Sequence, residues 1–216
     1  MEGVLPIIKH IPGHGRANVD SHKALPTVLT EQTELTKTDF LPFKLLSDMP
    51  IAMTDHIIQN AYYVTDIDSS IERFHQLWGL GPFFVRRHIS LDNVTYRGAP
   101  AELDISAAYA QSGDLMIELV TQHNDAPSTF RDMYAANESG FHHVALSFGD
   151  HDARVAHYNG LGFESATHFL TDEGRGATYL DTTAICGHMT EIYVVNDSLK
   201  QLYAEVRGAS ENWDGH

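Results

Sequence analysis

The sequence predicts an α+β fold: two tandem βαβββ modules whose eight strands curl into a cupped, open barrel, with an N-terminal arm ahead of them. Two observations carry this prediction. First, the chain repeats itself. Gln59-Asn60-Ala61-Tyr62-Tyr63-Val64-Thr65-Asp66-Ile67-Asp68 and His143-Val144-Ala145-Leu146-Ser147-Phe148-Gly149-Asp150-His151-Asp152 share one template: a short apolar strand, Asp-x-Asp, then an amphipathic helix ending in Gly-Leu-Gly at 79–81 and 160–162. A repeat of this kind sets the architecture before single elements are read. Second, each copy later reaches a carboxylate inside an apolar strand, Glu118 within 115–120 and Glu191 within 189–195. One such unit leaves a face of its sheet bare, so two must pair to close a core.

Four segments follow: an N-terminal extension 1–52, a first module 53–130, a second module 138–196, and a C-terminal helix and tail 197–216. In the extension, Pro6, Pro12, Pro26, Pro42 and Pro50 interrupt any sustained period, which reads either as an extended arm or as a partly disordered leader. His10 and His14 have the spacing of a helical metal pair, but Pro12 and Gly13 between them argue against a helix.

Residues 57–64 read as the first strand. Asp68 with Ser69 and Ser70 offers an N-cap, and Ile67, Ile71, Phe74, Leu77 and Trp78 share a helical face up to Gly79. Strands are expected near 83–90, 102–110 and 115–121, the last two joined by a turn at 111–114. The second copy repeats the order: strand 142–148, helix 152–160, and strands near 163–170, 176–181 and 188–195. A last amphipathic segment, 198–206, presents Leu199, Leu202, Tyr203 and Val206 and stops at Gly208.

Composition narrows the function. Fourteen basic against 29 acidic residues give a net charge of −15, which disfavours nucleic acid and anionic membrane as partners, since both need a basic face. Cys186 is the single cysteine, so there is no intramolecular disulfide and no multi-cysteine zinc site, in keeping with a reducing compartment. The first residues lack the basic start and apolar stretch of a signal peptide, and no run approaches the roughly 18 apolar residues of a membrane helix. A cytoplasmic protein acting on a small molecule is the expectation.

Side chains alternate across a strand. Gln59 therefore shares a face with Ala61 and Tyr63, His143 with Ala145 and Ser147, Glu118 with Met116 and Val120, and Glu191 with Met189 and Tyr193. In a cup, all four of Gln59, Glu118, His143 and Glu191 can point inward. A carboxylate within an apolar strand is costly unless it is paired or metal-bound. Two at corresponding strands of a repeat, each coupled to a polar residue at the start of its module, point to one divalent metal held by four residues.

These modules resemble the vicinal-oxygen-chelate superfamily, which includes glyoxalase I, methylmalonyl-CoA epimerase, extradiol dioxygenases and bleomycin-resistance proteins. The resemblance covers about 53–196 and implies one ligand from the first and one from the last strand of each module, landing on Gln59, Glu118, His143 and Glu191. Counting back from Asp66-Ile67-Asp68 favours Gln59 over His56, and alternation with Ala145 favours His143 over His142. The Gln/Glu/His/Glu set is similar to that of eukaryotic-type glyoxalase I. It implies a divalent ion (zinc, nickel, cobalt, manganese or iron) and a ligand glutamate that doubles as base, here Glu191 or Glu118, with Glu191 preferred.

Glyoxalase I carries two arginines for glutathione at positions that here hold Tyr63 and Ser139, so the resemblance implies a substrate not linked to glutathione. The expected activity is a metal-dependent lyase, isomerase or epimerase step, with proton transfer next to a chelated oxygen of a small or aromatic substrate, in a homodimer. Tyr63, Met116, His123 and Tyr193 are the expected substrate contacts. An extradiol-type dioxygenase would need His56, His88 or His142 to complete its two-His, one-carboxylate site; a non-catalytic resistance-type binding protein is the other alternative. Arg86-Arg87-His88 reads either as a carboxylate or phosphate grip or as solvated charge. Tyr96, Asp104, Ser106 and Tyr109 are further positions that can line the cup.

Overall fold

The computed structural model describes residues 16, 29–41, 57–147, 150–171, 174, 176–211 and 213–215, and the chain divides into two compact units, Met1–Asp55 and His56–His216. His10, His14 and His56 lie outside the described residues. In the first unit, Gln32–Lys37 forms a short helix, α1, that the proline-rich reading did not foresee. Arg16 serves it by pairing with Asp39 at 2.7 Å and Glu34 at 3.2 Å.

The second unit is a mixed sheet of ten described strands, curled into a half-barrel and backed by helices. In chain order its strands are β1 (Ile57–Tyr63), β2 (Phe84–Arg86), β3 (Leu91–Tyr96), β4 (Ala99–Pro100), β5 (Ile105–Ser112), β6 (Leu115–Gln122), β7 (Gly140–Ser147), β8 (Ser165–Thr171), β9 (Gly176–Leu180) and β10 (Met189–Tyr193). The helices are α2 (Ile67–Trp78), α3 (Thr129–Met133), α4 (His151–Gly160), α5 (Thr183–Cys186) and α6 (Asp197–Glu211). Lateral order is β2-β5-β6-β1-β7-β10-β9-β8-β3-β4.

Local chemistry explains most boundaries. The α2 N-cap is Asp66, not Asp68: its carboxylate accepts from the Ser69 amide at 2.8 Å and satisfies a donor of the first turn. Gly79 ends the helix in the left-handed region, φ +66°, where a side chain would be strained. Ile67 is buried and Ile71 and Phe74 pack beside it, whereas Leu77 stays 69% exposed, so the apolar stripe is narrower at its C-terminal end than its spacing suggested. Helix α6 continues through Gly208 to Glu211, because a single glycine costs a helix only about 1 kcal/mol.

The first module departs most from expectation. The strand expected over 83–90 is only three residues long, and an additional hairpin, β3 and β4, follows it. β3 crosses to the other module and pairs antiparallel with β8. The sheet is thus ten-stranded rather than eight-stranded, with the first module contributing to both of its halves.

Two faces are buried for different reasons. The outer face packs against helices: Leu119 and Ala108 meet Ile67 and Phe74 of α2, while Leu180 and Ile192 meet Val155 and Tyr158 of α4. The inner face gathers Tyr63, Val120, Phe130, Tyr179 and Met189. β6 is buried on both sides, which is why it reads as an almost unbroken apolar run with Glu118 in its middle. No described helix is long and apolar enough to cross a membrane.

Candidate metal centre

Four adjacent strands build the centre. In the order β6-β1-β7-β10 they carry Glu118, Gln59, His143 and Glu191. β1 and β7 pair antiparallel and set the register: Gln59 stands opposite Ala145, and Ala61 opposite His143. The parallel pairings extend both rows, since Ala145 also faces Glu191 and Ala61 also faces Glu118. Each row therefore alternates donor, alanine, donor. Ala61 and Ala145 are fully buried, and their small side chains leave the inner face open between the polar groups.

The four residues come from one chain and lie 0 to 7% exposed. His143 Nε2 is 3.3 Å from Glu118 Oε2 and 3.4 Å from Glu191 Oε2. Donor atoms of Glu118, His143 and Glu191 all fall within 4.8 Å of one another. Gln59 Nε2 donates to Glu118 Oε2 at 2.6 Å, and the Tyr203 hydroxyl reaches Gln59 Oε1 at 3.5 Å. For Gln59 to offer an oxygen to the same point, its amide has to turn over, which exchanges the two ends of one planar group.

His143 Nε2 is buried and makes no hydrogen bond of acceptable geometry, despite the two carboxylates beside it. A buried polar atom without a partner costs about 1–3 kcal/mol unless something occupies the position it faces. On the far side of the ring, His143 Nδ1 meets His142 Nδ1 at 2.9 Å, and His142 Nε2 meets the Thr129 carbonyl at 3.1 Å. The carbonyl only accepts, so His142 Nε2 carries a proton and donates it. Burial, and then the neighbouring His143, hold His142 well below the ordinary histidine range, so it stays neutral. Its Nδ1 is therefore an acceptor and His143 Nδ1–H donates to it, so that when His143 gives up its second proton the lone pair is directed through Nε2 at the carboxylates. This relay fixes the tautomer a metal ligand needs.

Electrostatics agree with a cation at that point. Burial disfavours a charged His143, yet the hydrogen-bonding and charge of Glu118 and Glu191 outweigh it and push its pKa up to about 9. Two carboxylates, an imidazole and an amide suit a divalent ion of the zinc, nickel, cobalt, manganese or iron kind, and the two negative charges neutralise it.

A cavity of about 70 Å³ opens onto this group, so whatever enters its closed part is compact. Tyr109, Tyr179, Tyr193 and Tyr203 lie in its walls with Arg86. Burial above all, with the nearby glutamates and neighbouring tyrosines adding to it, raises the hydroxyls of Tyr109, Tyr179 and Tyr193, which stay protonated and neutral. The Tyr193 and Tyr203 hydroxyls are hydrogen-bonded to each other.

Of the residues expected to touch substrate, Tyr193 lines the cavity and Tyr63, Met116 and His123 do not. Tyr63 is stacked against Phe130 and Tyr134 and accepts from Arg131. Met116 is buried beside Gln59 in the register. His123, one residue past the end of β6, bonds to Ser106 instead. Tyr96 donates to Asp132 away from the cup. Arg86 is a wall residue while Arg87 pairs with Asp68, so the two arginines serve different ends. Tyr179 and Tyr203 were not expected at the site. Tyr179 shares its strand face with Ala177, and Tyr203 descends from α6, 144 residues from Gln59 in sequence.

Comparison with known proteins shows the family. A family model described as the Glyoxalase/Bleomycin resistance protein/Dioxygenase superfamily matches residues 58–179, more than half of the chain. The chain belongs to that superfamily. Among solved structures, a hypothetical protein from Bacillus halodurans C-125 covers 67% of this chain and 96% of its own, with a TM-score of 0.48 and 14% identity. Methylmalonyl-CoA epimerase from Mycobacterium tuberculosis covers 67% and 90%, with a TM-score of 0.45 and 14% identity.

A second family model, the glycosyl hydrolase family 3 N terminal domain, matches residues 1–73 and so includes the whole of 1–52. Beta-hexosaminidase A from Pseudoalteromonas piscicida is 43% identical over 58 residues, which is 26% of this chain and 10% of that protein. The beta-hexosaminidase of Neisseria gonorrhoeae is 27% identical over 177 residues, 75% of this chain and 47% of that protein. The chain spans between a tenth and about half of the length of these curated relatives.

Proposed function

We infer that the chain is a divalent-metal-dependent enzyme that moves a proton at the carbon next to a substrate oxygen, giving an isomerisation, an epimerisation or a lyase step. The observation that carries this reading is the unpartnered, buried His143 Nε2 set between Glu118 and Glu191. Gln59, Glu118, His143 and Glu191 would hold the ion. A cation in that set supplies Lewis acidity, which stabilises negative charge on a substrate oxygen by several kcal/mol.

The remaining work falls to the chain's own groups. We take Glu191, which lines the cavity together with Tyr193, as the carboxylate that accepts a proton from substrate and returns it. Positioned acid–base transfer of this kind is worth about 10²–10⁴ in rate. The neutral hydroxyls of Tyr179 and Tyr193 lie in the cavity wall, where they can donate hydrogen bonds to a bound substrate. Arg86 is the cation in the cavity wall and is without an ion-pair partner among the described residues, which favours a substrate with an anionic group. Tyr63 and Ser139 stand where glutathione-binding arginines would be expected. Tyr63 is held in the core, and Ser139 accepts from the Thr65 amide, so the substrate is not glutathione-linked.

The ring-cleaving alternative is less well supported. His142 turns its nitrogens to Thr129 and His143, and His88 lies beside Asp104, so neither adds a second imidazole to the buried group. The carboxylates Glu118 and Glu191 lie outside residues 1–73, the part of the chain that the glycosyl hydrolase family model matches.

The test is turnover of a panel of small 2-hydroxycarbonyl, acyl-CoA and catechol compounds by metal-stripped and metal-restored protein, run in D₂O with and without oxygen. The expected result is chelator-sensitive, oxygen-independent deuterium incorporation next to a carbonyl. In Glu191→Gln the metal should remain, since an amide oxygen still coordinates, while incorporation stops. Oxygen uptake with catechols, or ligand binding without turnover, would overturn the reading.

A further inference from the structure

We propose that His88, Asp104 and His123 form a second transition-metal site, separate from the buried centre and facing solvent. The three residues come from distant points of the chain, yet one donor atom of each lies within 4.8 Å of the others. His88 Nδ1 sits 2.8 Å from Asp104 Oδ1, and the two imidazole rings are 4.4 Å apart with only 30° between their planes.

The arrangement is held from behind. The His123 amide donates to the Asp104 carbonyl and the Ile89 amide to the Ile105 carbonyl, each at 2.8 Å, locking together the loops that carry the three side chains. Ser106 ties the imidazoles in: its hydroxyl accepts from the His88 amide at 2.9 Å and meets His123 Nε2 at 2.6 Å. A hydroxyl on one ring nitrogen is a usual support for metal ligation through the other, and His123 Nδ1 has no hydrogen-bond partner among the described residues. An ion shared by His88 and Asp104 would take the place of the proton between His88 Nδ1 and the Asp104 carboxylate.

His88 also adopts φ +47°, a left-handed backbone that costs any residue with a side chain. Such strain persists where surrounding contacts enforce it, and it often marks a functional position. Two imidazoles and one carboxylate favour zinc, copper, nickel or cobalt over magnesium or calcium, which prefer oxygen donors. With three protein ligands, the remaining positions of the ion stay open to water. The site lies outside the catalytic cavity, whose wall is formed by the chain neighbours Ile89 and Ile105. Along β6, His123 is five residues beyond Glu118, about 16 Å at the usual rise of a strand.

Equilibrium dialysis of stripped full-length protein against Co(II), with its visible absorption recorded, tests the proposal. Wild type should take up two equivalents. The double variant His88→Ala/His123→Ala changes only exposed positions and should take up one. Glu118→Ala/Glu191→Ala should keep the equivalent that His88→Ala/His123→Ala loses. A wild type that binds one equivalent, retained by His88→Ala/His123→Ala, overturns the proposal, as does a second equivalent that persists in that variant. If wild type binds one equivalent that is lost only in His88→Ala/His123→Ala, the buried centre fails and this site stands. Should the glutamate variant not fold, the wild type and the surface variant alone decide the matter.

Discussion

His142 and His143 are neighbours on one strand, where side chains ordinarily diverge, yet their Nδ1 atoms meet at 2.9 Å. The first ring thereby sets the proton position on the second, and the Thr129 carbonyl sets it on the first. Replacing His142 by alanine should leave all four donors in place and weaken metal binding by about 10–100-fold. Competition with a chromogenic chelator measures it; unchanged affinity would show that the relay does not orient His143.

The metal-free protein should have a maximum of stability near neutral to mildly acidic pH. His143, raised to about 9 when folded from 6.5, contributes stability that is complete below about pH 6.5 and is lost as pH climbs through 9. That contribution is on the order of 3 kcal/mol. His142, held neutral, acts in the opposite direction: its contribution is present above about 6.5 and is lost on acidification. Urea titrations of stripped protein between pH 5 and 9.5, at intervals of about half a unit, would trace both limbs. Metal should remove the alkaline limb, since the ion takes the place of the proton on His143.

Ala145 stands between Gln59 and Glu191 in the register, with no exposure. A leucine there would enter the space the donors share. Ala145→Leu should lose metal and about 1–3 kcal/mol of stability. Metal analysis and denaturant unfolding report the two effects separately, and a metal-replete variant would mean the inner face is more open than it looks.

Arg86→Gln should raise KM for an anionic substrate by about 10–100-fold with kcat little changed, the loss of one charge-assisted contact made equally in ground and transition states. A neutral analogue should be unaffected. Steady-state kinetics with the pair of substrates decides between an anchor and a bystander.

What the sequence made legible was whatever recurs at a fixed period. The repeat put Gln59 and His143 at the starts of their modules and the two glutamates in matching strands, and adjacency in the sheet follows from that symmetry. Alternation along β6 was readable because the strand is regular through Glu118. His123 was expected at the pocket from the resemblance and not from alternation, and it lies just past the strand's end.

The β3–β4 hairpin stayed hidden for another reason. β3 is half exposed, its pairing with β8 shifts register between Asp92 and Thr95, and it finds its partner in the other module. No local period encodes such a choice. Tyr203 likewise reaches Gln59 only because α6 folds back across the cavity. In the sequence it is simply one more member of an amphipathic stripe. The shift of the N-cap from Asp68 to Asp66 is the competition between two acids of one Asp-x-Asp, decided by which carboxylate reaches the Ser69 amide.

The β1–β7 seam has a consequence for how the two halves of this unit depend on each other. Each half contributes two of the four donors, and the midline of the site runs between Ala61 and His143. Neither half on its own holds all four of the residues proposed to bind the ion. A polypeptide cut between α3 and β7 would therefore supply two fragments that reassemble most tightly when an ion is offered to both, and the ion would serve as the glue of the joined body as well as the seat of its chemistry.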